Sequence, residues 1–158
     1  MTTRLAGRTA LVTGAGDGIG AAVARRLAAE GAAVAVLDRD ADAAQAVAAE
    51  IAGLAVTADV ADEDAVRAAV TRVRDWNGPL TILVNAAGII RPALFDKMER
   101  SSWDAVLAVH LGGTYNCCRA VVDELSGDGR GRIINVTSAA GLVGTFGQAN
   151  YGAAKAAI

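Results

Sequence analysis

Tyr151 and Lys155 stand four residues apart in Asn150-Tyr151-Gly152-Ala153-Ala154-Lys155, an Ala-rich stretch that reads as the start of a helix. That spacing puts both side chains on one helix face. A phenol with the ordinary pKa of about 10 is a poor base at neutral pH. An ammonium alongside favours the phenolate, so such a pair can give or take a proton. Ser138 adds a hydroxyl able to hydrogen-bond an oxygen whose charge changes during a reaction. By spacing alone, a Tyr–Lys pair is more often a solvated helix face, and a Ser beyond a strand is more often a cap or turn.

A second group is built from glycines. Thr13-Gly14-Ala15-Gly16-Asp17-Gly18-Ile19-Gly20 follows an apolar run and opens a helical stretch. Glycines there let backbone approach a pyrophosphate, and the helix behind offers free N–H groups and a positive dipole end. The spacing is T-G-x-x-x-G-x-G with Gly16 extra, not the dinucleotide G-x-G-x-x-G. Asp38 closes the next apolar run, Val34-Ala35-Val36-Leu37-Asp38. An acid there can accept hydrogen bonds from both adenosine ribose hydroxyls and repels a 2′-phosphate, which favours NAD over NADP. Arg39 acts the other way, since a guanidinium turned inward pairs with a 2′-phosphate.

These residues need a scaffold, and the hydrophobic pattern supplies one. Strands are expected at Thr9–Val12, Ala33–Leu37, Leu54–Thr57, Thr81–Val84 and Arg132–Val136. Helices are expected at Ile19–Glu30, Ala41–Ile51, Asp62–Trp76 and Ser101–Leu125, the last capped by Ser101 or Ser102, with a further helix beginning near Tyr151. Ser126-Gly127-Asp128-Gly129-Arg130-Gly131 reads as a loop. Strands separated by long helices imply βαβ units. The expectation is one α/β domain over 1–158, a doubly wound parallel sheet of order 3-2-1-4-5. Ser138 then falls just past the fifth strand, at the carboxyl end where such sheets bind ligands.

With 53% hydrophobic and 20% charged residues, 158 residues suffice for a real core. A net charge of −2 and 4% aromatics argue against a nucleic-acid surface. The first residues lack the apolar core of a signal peptide. No apolar run reaches the roughly 18 residues of a membrane span, so a soluble cytoplasmic protein is expected. Cys117 and Cys118 are adjacent and cannot staple distant parts of a fold. His110, the sole histidine, cannot belong to a His-rich metal site, and no metal site is expected.

Taken in order, Thr13 to Gly20, Asp59-Val60, Asn85-Ala86-Ala87-Gly88, Ser138 and Tyr151-Gly152-Ala153-Ala154-Lys155 resemble the short-chain dehydrogenase/reductase family. The resemblance covers the whole chain and implies a Rossmann-type fold with a nicotinamide cofactor. It implies that Gly14, Gly18 and Gly20, with Gly16, Asp17 and Ile19 between them, form the pyrophosphate turn. Asp59 and Val60 would meet the adenine, and Asn85 to Gly88 would border the ribose. Ser138 and Tyr151 would be catalytic, with Lys155 also holding nicotinamide ribose hydroxyls.

His110 departs from the family, which carries Asn there at a helix kink whose carbonyl holds a water leading to the Lys. A carbonyl does not depend on side-chain identity, and Gly112-Gly113 keeps the helix easy to distort. His110 therefore reads first as this relay position, next as a plain buried residue, and last as a titrating group.

Gly144 to Tyr151 is similar to β-ketoacyl-carrier-protein reductases and to hydroxyacyl-CoA dehydrogenases of multifunctional β-oxidation enzymes. The expected reaction interconverts a 3-oxoacyl and a 3-hydroxyacyl thioester of CoA or acyl-carrier protein. Generic alcohol, sugar or steroid dehydrogenases are the alternative. The family also continues beyond this length, so a nucleotide-binding fragment without turnover is a further alternative. The fifth strand is then expected to be an open edge, and homo-oligomers are expected of the full-length relatives.

Overall fold

A computed structural model describes residues 3–125 and 129–158. β1 (Thr9–Thr13), β2 (Ala33–Asp38), β3 (Leu54–Thr57), β4 (Ile82–Asn85) and β5 (Arg132–Asn135) form one parallel sheet of order β3-β2-β1-β4-β5. That is the expected order. All residues of β1 and β4 are buried, as befits parallel strands covered on both faces. Alternation within β1 assigns the two sides. Ala10 and Val12 pack with α1 (Gly18–Ala29) and α2 (Ala41–Glu50), while Leu11 packs with α3 (Glu63–Asn77) and the later helices. The two apolar layers thus lie on opposite faces of one sheet.

Two helices begin as their sequences suggest. Asp40 accepts from the N–H groups of Asp42 and Ala43, and Asp62 from those of Asp64 and Ala65. Each carboxylate satisfies first-turn donors that a helix leaves without internal partners. α1 differs, for Asp17 precedes it without any side-chain capping bond.

The expected helix Ser101–Leu125 is corrected at its start and is distorted around His110, where a kink was implied. It starts a residue early, as α4 (Arg100–Leu107), with Glu99 at the capping position and no side-chain cap. Ser101 and Ser102 lie inside the first turn, and the N–H of Ser102 bonds to the carbonyl of Glu99. The Arg100–Asp104 ion pair, one turn apart, belongs to this earlier start. The helix is also interrupted by a π-helical turn at Ala108–Gly112 before α5 (Gly113–Leu125). There the N–H of Gly113 reaches back to the carbonyl of Ala108. Single π turns of this kind are frequent at functional sites.

Two short elements carry no readable period: a 3₁₀ turn at Phe95–Lys97 and α6 (Ala140–Val143). α7 (Ala149–Ala157) carries Tyr151 and Lys155. The expected loop at Ser126 to Asp128 lies outside the described residues. Among the described residues β5 pairs with β4 alone and all its residues are exposed, matching the expected open edge. No helix among them is long and apolar enough to cross a membrane.

At the carboxyl ends of the central strands, Thr13 Oγ1 accepts from the N–H groups of both Ala86 and Ala87, at 3.1 Å each. Thr13 is buried, so no water replaces it. Thr13→Val keeps the shape and strands both amides. We expect a loss of about 1–3 kcal/mol in urea unfolding; an unchanged midpoint would show the two bonds to be dispensable.

Candidate functional site

The loops that follow β1, β2, β3 and β4 converge around a cavity of about 510 Å³. Its size suits a small-molecule or cofactor site, and its position at the carboxyl edge is where open α/β sheets bind ligands. Gly14, Asp17, Gly18, Ile19 and Gly20 line it from the first turn, Asp38 from the end of β2, and Asp59 and Val60 from the segment after β3. Ala86, Ala87 and Gly88 close the far side. Leu37, Arg39, Ala58, Ile89 and Val109 also line it; of these, only Arg39 stood out by residue type. The others are apolar neighbours of conspicuous residues and carry no chemical signal of their own.

Two anticipated residues lie beside the lining. Gly16 sits beneath the turn, its N–H donating to Asp38 Oδ2 at 2.9 Å. A Cβ there would fall 2.8 Å from Ala43 Cβ, so the glycine admits α2 close to the turn. Asn85 bridges the sheet, its Nδ2 donating to Asn135 Oδ1 at 2.9 Å. Asp38 is fixed from a second direction, Oδ1 accepting from the Asp40 N–H. Its carboxylate therefore stands oriented at the cavity rim.

Gly14 shows why this turn needs glycine. Its φ is +61°, and a Cβ would lie 2.7 Å from Ala87 Cα. Both the left-handed backbone and the backbone-to-backbone contact exclude a side chain. The uncapped start of α1 opens at this turn, leaving first-turn N–H groups for an anion.

α7 brings the proton-transfer candidates together. Lys155 is buried, and its Nζ donates to the carbonyl of Val136 at 2.6 Å. The same Nζ lies 5.7 Å from the centroid of the Tyr151 ring. Burial pulls the Lys155 amine below its ordinary pKa. His110, in the π turn, meets the Tyr151 ring edge-on with centroids 5.2 Å apart and planes at 83°. Burial holds the imidazole below its usual pKa; a bond to Ile89 opposes that, and the positive Lys155 adds to it. Position 110 thus presents a ring packed on Tyr151, with burial and Lys155 disfavouring its charged form. Ser138 Oγ accepts from the Ala140 N–H at 3.2 Å, at the start of α6. That is the capping contact expected of an ordinary Ser after a strand, and it leaves the hydroxyl hydrogen to donate elsewhere.

Asn150 was not anticipated. It is fully buried, and its Nδ2 donates to the carbonyls of Arg91 and Ser102 while its Oδ1 accepts from the Tyr151 N–H. It ties the first turn of α7 to α4 and to the loop after β4. Its only sequence signal is a polar residue beside Tyr151, since its partners in those elements are main-chain groups. Arg91 contributes its carbonyl, and its side chain is exposed.

A second cavity, about 480 Å³, lies against Ala149, Ala153 and Ala156 of α7. Helical periodicity puts these on the face away from Tyr151 and Lys155, and neither residue lines it.

The chain is similar to several known proteins. Acetoacetyl-CoA reductase of Allochromatium vinosum is 45% identical over 96% of this chain and 64% of its own length. A 3-oxoacyl-(acyl-carrier-protein) reductase of Synechocystis sp. is 43% identical over 99% of this chain and 66% of its own. The crystal structure of ribose-5-phosphate isomerase from Brucella melitensis 16M superposes with a TM-score of 0.94 at 38% identity, covering 99% of this chain and 61% of that one. The three names span different reactions, and a shared fold does not fix a reaction. The chain spans less than two thirds of the length of each of these proteins. A family model described as short chain dehydrogenase matches residues 8–158, and the chain belongs to that family.

Proposed function

We propose that this chain carries the nucleotide site and the proton-transfer residues of a nicotinamide-dependent oxidoreductase. The carrying observation is the buried Lys155 amine held 5.7 Å from the Tyr151 ring. The residues around the larger cavity fit a dinucleotide. Gly14 and Gly20 add no side chain where the turn closes on Ala87 and on itself, α1 begins without a capping side chain, and Asp38 is held as an acceptor at the rim. In this reading Gly14 to Gly20 bind the pyrophosphate, with Asp17 and Ile19 forming the turn's outer wall and Gly16 packing beneath it. Asp38 takes the adenosine ribose, Asp59 and Val60 border the adenine, and Asn85 to Gly88 support the far wall. NAD is favoured over NADP.

A bound nicotinamide supplies or accepts the hydride. The protein's task is then the proton and the position of the reacting carbonyl or alcohol. Tyr151 exchanges the proton with the substrate oxygen, and the positive Lys155 stabilises negative charge developing on the phenol. Ser138 donates its hydroxyl hydrogen to the same oxygen. Lys155 is held by Val136 from one side, leaving other ammonium hydrogens for ribose hydroxyls.

For the substrate we favour a 3-oxoacyl or 3-hydroxyacyl thioester. This is supported by relatives named for acetoacetyl-CoA and for 3-oxoacyl-carrier-protein reduction. We further place the chain in the cytoplasm and expect homo-oligomers of the full-length protein.

Calorimetric titration checks the cofactor. NAD should bind at least about tenfold more tightly than NADP, a difference of about 1.4 kcal/mol; equal or reversed affinities would overturn the reading of Asp38. NADH oxidation with acetoacetyl-CoA, followed in this chain and in a chain of the relatives' length, checks the reaction. Tyr151→Phe in the active form should lower kcat by about 100-fold or more with nucleotide binding retained. Turnover that survives this substitution would remove Tyr151 from the proton step.

A further inference from the structure

His110 stands where three parts of the site meet. Its ring fills the space against Gly88, where a Cβ would overlap the imidazole Cε1. Its Nε2 lies 2.9 Å from the carbonyl oxygen of Ile89 and 3.1 Å from the Ile89 nitrogen. Its edge packs on Tyr151. Gly88, Ile89 and Val109, the residue before His110, all line the nucleotide cavity. One buried ring thus touches the cavity wall on one side and the proposed proton donor on the other.

The polar atoms tie the ring to that wall in either neutral state. With hydrogen on Nε2 the ring donates to the Ile89 carbonyl. With hydrogen on Nδ1, Nε2 instead accepts from the Ile89 N–H. Nδ1 is buried and has no hydrogen-bond partner among the described residues. Both states therefore hold the ring to the Ile89 peptide through Nε2 alone.

We propose that His110 is a positioning residue that couples occupancy of the nucleotide cavity to the orientation of Tyr151, through the bond of its Nε2 to the Ile89 peptide. The inference rests on the nucleotide reading given above. A ligand pressing on the Gly88–Ile89 wall displaces the peptide to which Nε2 is bonded. The close-packed ring follows and carries its contact with Tyr151 along. The coupling is reciprocal, so altering the ring must alter nucleotide affinity.

A single histidine makes the test direct. Long-range proton–nitrogen NMR of the uniformly ¹⁵N-labelled chain reports both imidazole nitrogens without assignment. We expect a shift of both nitrogens on saturation with NAD. His110→Phe, which keeps a ring but loses the Ile89 bond, should weaken NAD binding about fivefold or more, whereas His110→Gln, whose amide nitrogen can replace Nε2, should stay within about twofold of the parent. NAD binding that leaves both nitrogens unmoved overturns this coupling alone. Parental affinity in a folded His110→Phe does the same. A parent chain that binds neither NAD nor NADP overturns the nucleotide reading and this inference together. Where His110→Phe fails to fold, the parent spectrum decides.

Discussion

The site depends on the pairing of β1 with β4. From β1 the chain winds outward to β2 and β3, then returns to the other side of β1 for β4 and β5. The loops after β1 and β4 therefore leave adjacent strands in opposite directions, and a crevice opens between them. Parallel pairing in register, Thr13 beside Asn85, brings both loops to the same height. Thr13 then bonds the two amides beyond β4, and Gly14 lets Ala87 approach to backbone contact. Without that contact the glycine turn and the Asn85–Gly88 segment would have no fixed separation, and the cavity between them no fixed shape.

The same strand ends govern the charged side of the site. The Asn85 carbonyl accepts from the Val136 N–H, and the Val136 carbonyl accepts from Lys155. A run of main-chain bonds thus leads from β4 through the end of β5 to the amine of α7. Thr137 adds a second tie, its hydroxyl donating to the Lys155 carbonyl. Burying an ammonium is costly unless it is hydrogen-bonded, and the bond to Val136 partly offsets that cost while fixing where the charge sits. That charge and burial both act against a second positive group at His110. Beside Tyr151 the cation therefore sits on α7, and a charged ring in the π turn is disfavoured.

What could be read from the sequence follows from how local each signal is. Strands buried on both faces are apolar throughout, so β1, β2 and β4 stand out, and β–α alternation dictates a parallel sheet. Asp40 and Asp62 announce their helices because a cap acts on N–H groups two and three residues away. The start of α4 was misjudged because Ser101 and Ser102 are good capping types inside a turn that Arg100 and Asp104 had already begun. α6 has too few residues for any period to show. Asn150 escaped notice because its anchoring partners are the carbonyls of residues 59 and 48 positions away. Tyr151 and Lys155 were legible as a pair, but the burial of Lys155 on Val136 depends on where β5 ends.

Position 110 separates what the main chain places from what the side chain touches. The π turn places a main-chain carbonyl, which any side chain permits. The side chain is a separate matter. An asparagine is shorter than an imidazole, whereas the ring both abuts Gly88 and reaches the Ile89 peptide. Glycine at position 88 is thereby required by the ring behind it. The histidine ring spans from the cavity wall to Tyr151. Rigid, fully packed contacts transmit small displacements that a looser side chain would absorb.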